Sequence, residues 1–442
     1  MLKHGESNRS ASGQHTVCTS LPVPLLESLR PAHARVAAGL FAGLGTQVGA
    51  WAVLVPELVA SRRLTPAALG LALAVMAATS IGALAAAGPL ADRFGRRPLA
   101  VAGAAGFAAS FALLALVEAP AALWPTMVLY GISSGCLDLA ANAVGADYER
   151  THRVHAMIRL HAGFSAAAAV AALGAALLAE ATSAPAAYGT VAALYVALAA
   201  LLVRAPLPPH EEPAVAAAPA VAASPAVATS PAAPASPALP AAASPAAPAS
   251  RRDLLRVPSI AIAVALCTMC FFGDGAIEGY AALFLRDVLE SGALLTGAAL
   301  ASFHGASLIG RLVSARLADA RGERWVLTAA GLLAGAGMAV TVAAREPALA
   351  AFGLLVVGFA LAPVIPTALS LAGRSAPGRS ATAVSLVTTV GYSAFVVGPP
   401  LVGVLAGATS LRIALVPVVA STAAIALLAR LPAARLRHPG RS

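Results

Sequence analysis

Gly88-Pro-Leu-Ala-Asp92-Arg93-Phe-Gly95-Arg96-Arg97 decides how this chain is read, because a later stretch repeats its framework: Ala315-Arg316-Leu-Ala-Asp319-Ala-Arg321-Gly322-Glu-Arg324. Asp92 and Asp319 stand 227 positions apart, and so do Gly95 and Gly322. Glycine permits the tight turn between two antiparallel helices. An aspartate at a helix end can accept hydrogen bonds from a neighbouring helix N-terminus, and arginines hold such a loop to an anionic lipid surface. One copy would be only a charged loop. Two copies in register argue an internal duplication, with a pseudo-two-fold axis along the membrane normal.

Working outward from the two loops, apolar blocks recur along almost the whole chain. The first half carries them at 33–59, 66–91, 97–117, 121–146, 157–180 and 185–203. The second half carries them at 257–284, 294–318, 325–344, 348–372, 380–407 and 410–430. The first blocks of the two halves start 224 positions apart (33 and 257), close to the offset of the loops. Each block approaches or exceeds the roughly 20 residues that cross a bilayer as a helix, and unpaired backbone groups are not tolerated in hydrocarbon, so the blocks are helical. The fold class is therefore an all-α membrane protein of twelve transmembrane helices in two six-helix bundles.

Composition agrees. Of 442 residues, 59% are hydrophobic and 11% charged, against about 45–50% and 25% in soluble domains. So few charges cannot cover a water-facing exterior. The net charge of +10 does not indicate nucleic acid, because the arginines lie in short clusters between apolar blocks. Placing both termini in the cytoplasm leaves only Arg62, Arg63, Arg286, Arg345 and Arg412, of 29 lysines and arginines, on the far side, as the positive-inside rule requires. The polar start, 1–32, reads as a cytoplasmic tail and not a signal peptide. Segment 205–250 is Ala, Pro, Ser and Val with proline every few residues. It reads as a disordered cytoplasmic linker between the bundles, 33–204 and 251–430, and 431–442 as a second cytoplasmic tail. Cys267 and Cys270 have redox spacing but lie in an apolar helix with no cation to hold a thiolate, so packing is their expected role.

The pattern G-x-L-a-D-R-x-G-R-R resembles the helix 2–3 signature of the major facilitator superfamily, over about residues 33 to 430. Within it, Gly135-Cys-Leu-Asp138-Leu-Ala-Ala-Asn142 and Phe271-Phe-Gly-Asp-Gly-Ala-Ile-Glu-Gly-Tyr-Ala-Ala-Leu-Phe-Leu285 look like the fucose permease branch, as does Gly391-Tyr392 to Gly398-Pro399-Pro400. The resemblance implies a monomeric secondary transporter of the cell inner membrane, with Gly88, Asp92, Arg93, Gly95, Arg96, Asp319 and Gly322 forming conformational-gating loops and Asp92 an interdomain latch. It also implies that Asp138 is a functional acid. The chain departs from that branch at Ala52, where a second acid is expected on helix 1, and at Phe164, in place of a sugar-contacting asparagine. Residues 164–179 also lack the proline of the Gly-Pro motif that drug antiporters carry on helix 5.

Intramembrane carboxylates carry the chemistry. Each costs roughly 2.5–3.5 kcal/mol at a helix centre, so Asp138, Asp274 and Glu278 must face a wet cavity, pair with cations or hold protons. Asp138 and Asn142 share a helix face, as do Asp274 and Glu278. A carboxylate pair at that spacing should share a proton, which is what proton coupling needs. The 227-residue offset maps Asp274 and Glu278 onto Gln47 and Trp51. Expected substrate contacts are Gln47, Trp51, Asn142, His161, Tyr280, His304 and Tyr392, with Arg311 able to snorkel or to pair with an acid. The plainer alternative is that these groups only bond to neighbouring helices. No metal cluster, phosphate loop or nucleophile–base pair is seen, so neither an enzyme nor a cofactor is expected. The expected partners are a small polar solute, protons and membrane lipid. Proton-coupled drug efflux and a non-transporting sensor of the same fold are the rival readings.

Overall fold

A computed structural model describes residues 32–116, 119–152, 154, 156–209, 251–376 and 380–431. The expected tails and nearly all of the linker lie outside the described residues. Among those described, the regular elements are helical. The first half comprises α1 (Ala32–Arg62), α2 (Pro66–Phe94), α3 (Arg96–Leu116), α4 (Leu123–His152), α5 (Met157–Ala181) and α6 (Ala184–Arg204). The second comprises α7 (Pro258–Leu283, prolonged by a π-helical turn Phe284–Val288), α8 (Ala293–Arg321) and α9 (Glu323–Ala343). It continues with α10 (Pro347–Leu361 and Val364–Ser375), α11 (Ser380–Ala408) and α12 (Leu411–Ala414 and Val416–Arg430). Twelve helices among the described residues are long and apolar enough to cross a membrane. The chain is a multi-pass membrane protein.

Local chemistry places the breaks. Thr65 starts α2 by accepting from the Ala68 amide at 3.1 Å, with Pro66 in the first helical position, where its missing N–H costs nothing. Ser183 and Ser410 cap α6 and α12 in the same way. Pro363 interrupts α10 because it lacks an amide donor.

The duplication extends to the helix ends. α2 and α8, and likewise α3 and α9, are displaced by 227 residues at both of their termini. The structure corrects the reading of the repeated motif as a loop. Gly88–Phe94 completes α2, Ala315–Arg321 completes α8, and a single glycine forms each turn. Gly95 has φ 81° and Gly322 φ 87°, a region open to glycine and strained for other residues. Each donates its amide to the carbonyl four residues back, Ala91 or Ala318, at 2.9 Å.

α1 packs on α5, α2 on α4 and α3 on α6 in the first bundle, while α8 packs on α10 and α9 on α12 in the second. The bundles meet through α2 against α11, α5 against α8, and α1 against α7. With an even number of crossings, Ala32 and Arg430 lie on one side of the molecule, called here the terminus side; the other is the distal side.

Candidate functional site

The distal side is closed. Glu57 near the end of α1 pairs with Arg286 at the end of α7 at 3.0 Å. The Leu294 amide that opens α8 donates to Glu180 of α5 at 3.1 Å. Deeper in, the Tyr280 hydroxyl donates to the Pro399 carbonyl of α11 at 2.9 Å and reaches the Pro66 carbonyl of α2 at 3.3 Å. Gly70 and Gly403 make this junction possible. A Cβ on Gly70 would lie 2.6 Å from the Pro399 carbonyl oxygen, and one on Gly403 would collide with that of Pro66.

On the terminus side one polar link between the bundles is present among the described residues. An added Cβ at Gly82 or Gly88 would meet nothing within 4 Å, and Leu90, Phe94 and His161 are exposed. That link is made by Arg311 of α8, whose Nη1 donates to the Ser165 hydroxyl and, at 3.3 Å, to the His161 carbonyl of α5. Arg311 lies ten residues before the end of α8, roughly 15 Å from it.

Asp138 and Asp274 sit near the middle of their helices and Glu278 one turn further toward the distal side, all three half-buried. Asp138 accepts from Asn142 Nδ2 at 2.9 Å and lies within electrostatic reach of Tyr392 on α11 of the other bundle. Tyr392 belongs to an aromatic group with Phe271 and Phe395, ring centroids 4.7 and 6.2 Å away. Asp274 receives the weak Sγ donor of Cys270 at 3.9 Å and feels both Arg311 and Glu278. Glu278 also lies within electrostatic range of Tyr130 of α4. The faces of α4, α7, α8 and α11 that carry polar groups thus converge between the bundles.

The expected solute-contacting residues separate into two groups. Asn142, His161 and Tyr392 are at least partly open. Gln47, Trp51, Tyr280 and His304 are packed away in this conformation. Gln47 Oε1 takes the Tyr130 hydroxyl at 2.6 Å and Trp51 lies 5.2 Å from the same ring, so both belong to the α1–α4 contact. His304 is 4% exposed and its Nε2 has no hydrogen-bond partner among the described residues. Tyr130, Ser165 and Phe395 were not anticipated. Ser165 is four residues from His161, a spacing that puts them on one helix face, and this was the available signal.

At the repeated motif, Arg93 is exposed and stacks over Phe94 at 5.1 Å, Asp319 is exposed, and the Asp92 side chain lies outside the description. The expectation that the motif's arginines reach to lipid is corrected for two of them. Arg96 pairs with Asp147 of α4, which is 1% exposed. Arg97 donates to the Val203 and Ala205 carbonyls at the end of α6. In each case a nearby protein acceptor outcompetes the interface.

Comparison with known proteins accords with this architecture. An uncharacterized MFS-type transporter of Yersinia pestis is 26% identical over 378 residues, covering 84% of this chain and 88% of the relative. The nucleoside transporter NupG superposes with a TM-score of 0.68 at 13% identity, over 90% of this chain and 99% of NupG. A bacterial homolog of the human lysosomal transporter Spinster, solved inward-facing and unoccupied, gives 0.66 at 15% identity, over 90% and 96%. At those identities the two structures show the shared fold alone. The sequence profile of the Major Facilitator Superfamily matches residues 36–399 and 282–441. With twelve spans in two repeated bundles and this match over most of its length, the chain belongs to the Major Facilitator Superfamily and is a transporter, not an enzyme.

Proposed function

We propose that this transporter moves a small polar organic solute, a sugar or related metabolite, across the cytoplasmic membrane by alternating access coupled to protons. One observation carries the reading. Asp138 and Asp274 lie near the middle of their helices, with Glu278 one turn nearer the distal side, between two bundles that are joined on the distal side. Ionisable groups at that depth are costly and mark ion or substrate paths. With no nucleotide motif in the chain, uphill transport draws on an ion gradient, and a carboxyl that meets each compartment in turn can carry the proton.

Asn142, His161 and Tyr392 contact the solute from the open side, while Gln47, Trp51, Tyr280 and His304 take part when the bundles rock. The turns at Gly95 and Gly322, with Gly88, Asp92, Arg93, Arg96 and Asp319, guide the motion. The terminus side is cytoplasmic, and one chain suffices for transport. The test is uptake into proteoliposomes under an imposed pH gradient, over sugars and small acids. Accumulation that follows the gradient and collapses with a protonophore supports the reading; uptake indifferent to both overturns the coupling.

A further inference from the structure

We propose that the solute carries a carboxylate and that Arg311 seats it. This deepens the transport reading and rests on it. Arginine holds its charge under all ordinary conditions and presents five N–H donors in a planar fork. Only Nη1 of Arg311 is engaged, by Ser165 and the His161 carbonyl. No hydrogen bond among the described residues uses Nε or Nη2, and neither atom is sealed off from solvent. That free edge is the one that holds a carboxylate through two parallel hydrogen bonds. It lies ten residues inside the terminus-side end of α8, where a solute entering between the bundles from that side would meet it.

The groups that face Arg311 sharpen the choice of solute. From α7 come Asp274 and Cys270, from α5 His161, and from α8 itself His304. Asp274 is the carboxylate among them, and it is turned toward Cys270 instead of filling the fork. A neutral sugar would leave the fork unused, and an ammonium group would meet a fixed positive charge. A solute carboxylate on the fork would share the guanidinium with Asp274. Two carboxylates beside one cation in a low dielectric repel unless one holds a proton. Binding of the anion and of a proton at Asp274 therefore favour each other, by the same factor in each direction. The solute then arrives as acid plus proton, which ties its class to the coupling.

The experiment uses full-length protein in proteoliposomes and reads uptake of the radiolabelled probe, because a carboxylate entering with one proton moves no net charge. The probes are matched sets with one carbon skeleton: D-gluconate, D-glucose and D-glucosamine, then the acid, neutral and amino members of shorter and longer homologues. The expected result is a response to acid members only. Arg311→Gln should raise the half-saturating concentration of the responding acid by at least about tenfold, the loss of one charge-assisted pair. Arg311→Lys, which restores the charge without the fork, should recover part of that loss. Neutral or amino members responding as well as the acids overturn the proposal. So does an Arg311→Gln protein with unchanged acid response, and so does a panel in which no acid responds. A separate readout guards the underlying reading: a single cysteine at Leu73, followed for alternating accessibility from the two sides. If accessibility alternates while the acids fail, only the carboxylate inference falls; if it never alternates, the transport reading falls.

Discussion

Arg97 and Arg324 occupy the same place in the two halves and do the same work. Arg97 donates to the Val203 and Ala205 carbonyls that end α6, at 3.2 and 2.7 Å. Arg324 donates to the Arg430 carbonyl that ends α12, at 2.8 Å. Each ties the start of the third helix of its bundle to the end of the sixth, where unpaired carbonyls carry the negative end of the helix dipole. One residue earlier, the duplication has kept an interaction and reversed its signs. Arg96 pairs with Asp147, and Glu323 pairs with Arg374 at 2.5 Å. Both pairs span 51 residues, so cation and anion have exchanged places between the halves.

The two pairs should differ in what they contribute. Asp147 is 1% exposed and Arg96 14%, whereas Glu323 and Arg374 are 40% and 44% exposed. Breaking a buried pair costs about 3–5 kcal/mol, while an exposed one contributes about 0–1 kcal/mol. Arg96→Ala should lower the melting temperature of the detergent-purified protein well below that of Glu323→Ala. The double reversal Arg96→Glu with Asp147→Arg, which copies the signs of the second half, should recover part of the loss. Equal melting of the two single variants would show that burial does not decide the matter.

The distal closure yields a second expectation. Tyr280→Phe removes the one hydroxyl proton shared between the Pro399 and Pro66 carbonyls at the junction of α2, α7 and α11, a loss of about 1 kcal/mol. Gly70→Ala forces a methyl group against the Pro399 carbonyl and the Tyr280 hydroxyl. Both should shift the population toward a distal-open form, the glycine variant more strongly. In a background freed of the native cysteines, a cysteine at Leu73 should react faster with an impermeant maleimide from the distal side. Unchanged labelling in both variants would mean that Glu57–Arg286 and Glu180 hold the closure without this junction.

Much of the architecture was legible because it depends on patterns that local sequence carries. Apolar length gives the spans, and Asp92/Asp319 with Gly95/Gly322 give the repeat. The motif's conformation was misread because its charged residues suggested a loop, whereas the helix continues until a glycine can reverse it. Partners across helices were the least legible. Arg311 was seen as able to snorkel or to meet an acid, but its Nη1 bonds to Ser165 and a backbone carbonyl of the other bundle. Gln47 and Trp51 share an inner-facing register with Asp274 and Glu278, yet Tyr130 takes both. Such outcomes depend on rotation and depth between bundles, which helical spacing within one bundle does not encode.

Orientation can be tested without a substrate. If the terminus side is cytoplasmic, as the arginine distribution argues, a cysteine at Ser236 or Ser244 should resist an impermeant reagent applied to intact cells. It should react once the membrane is permeabilised. Labelling from outside intact cells would reverse the orientation, and with it the compartment from which Arg311 is approached.

The coupling prediction asks most of the site. Asp138 stands at the middle of α4 with Asn142 as its hydrogen-bond partner, and Asp274 and Glu278 stand one turn apart on α7. In the first half the position equivalent to Asp274 is Gln47, a neutral residue bonded to Tyr130. On the proposed reading the titrating sites are on α4 and α7, and α1 offers the neutral Gln47 at the equivalent position. If Asp138 carries the proton, Asp138→Asn should abolish accumulation driven by a pH gradient. It should preserve exchange of labelled for unlabelled solute, because exchange moves no net proton. Asp274→Asn with Glu278→Gln should also lose accumulation, with weaker solute affinity added if Asp274 shares Arg311 with the solute. Measuring accumulation and exchange side by side distinguishes loss of coupling from loss of folding, since a misfolded protein fails both. Normal accumulation in Asp138→Asn and in the double variant would make these acids structural and the protein a facilitator or a carrier driven by another ion.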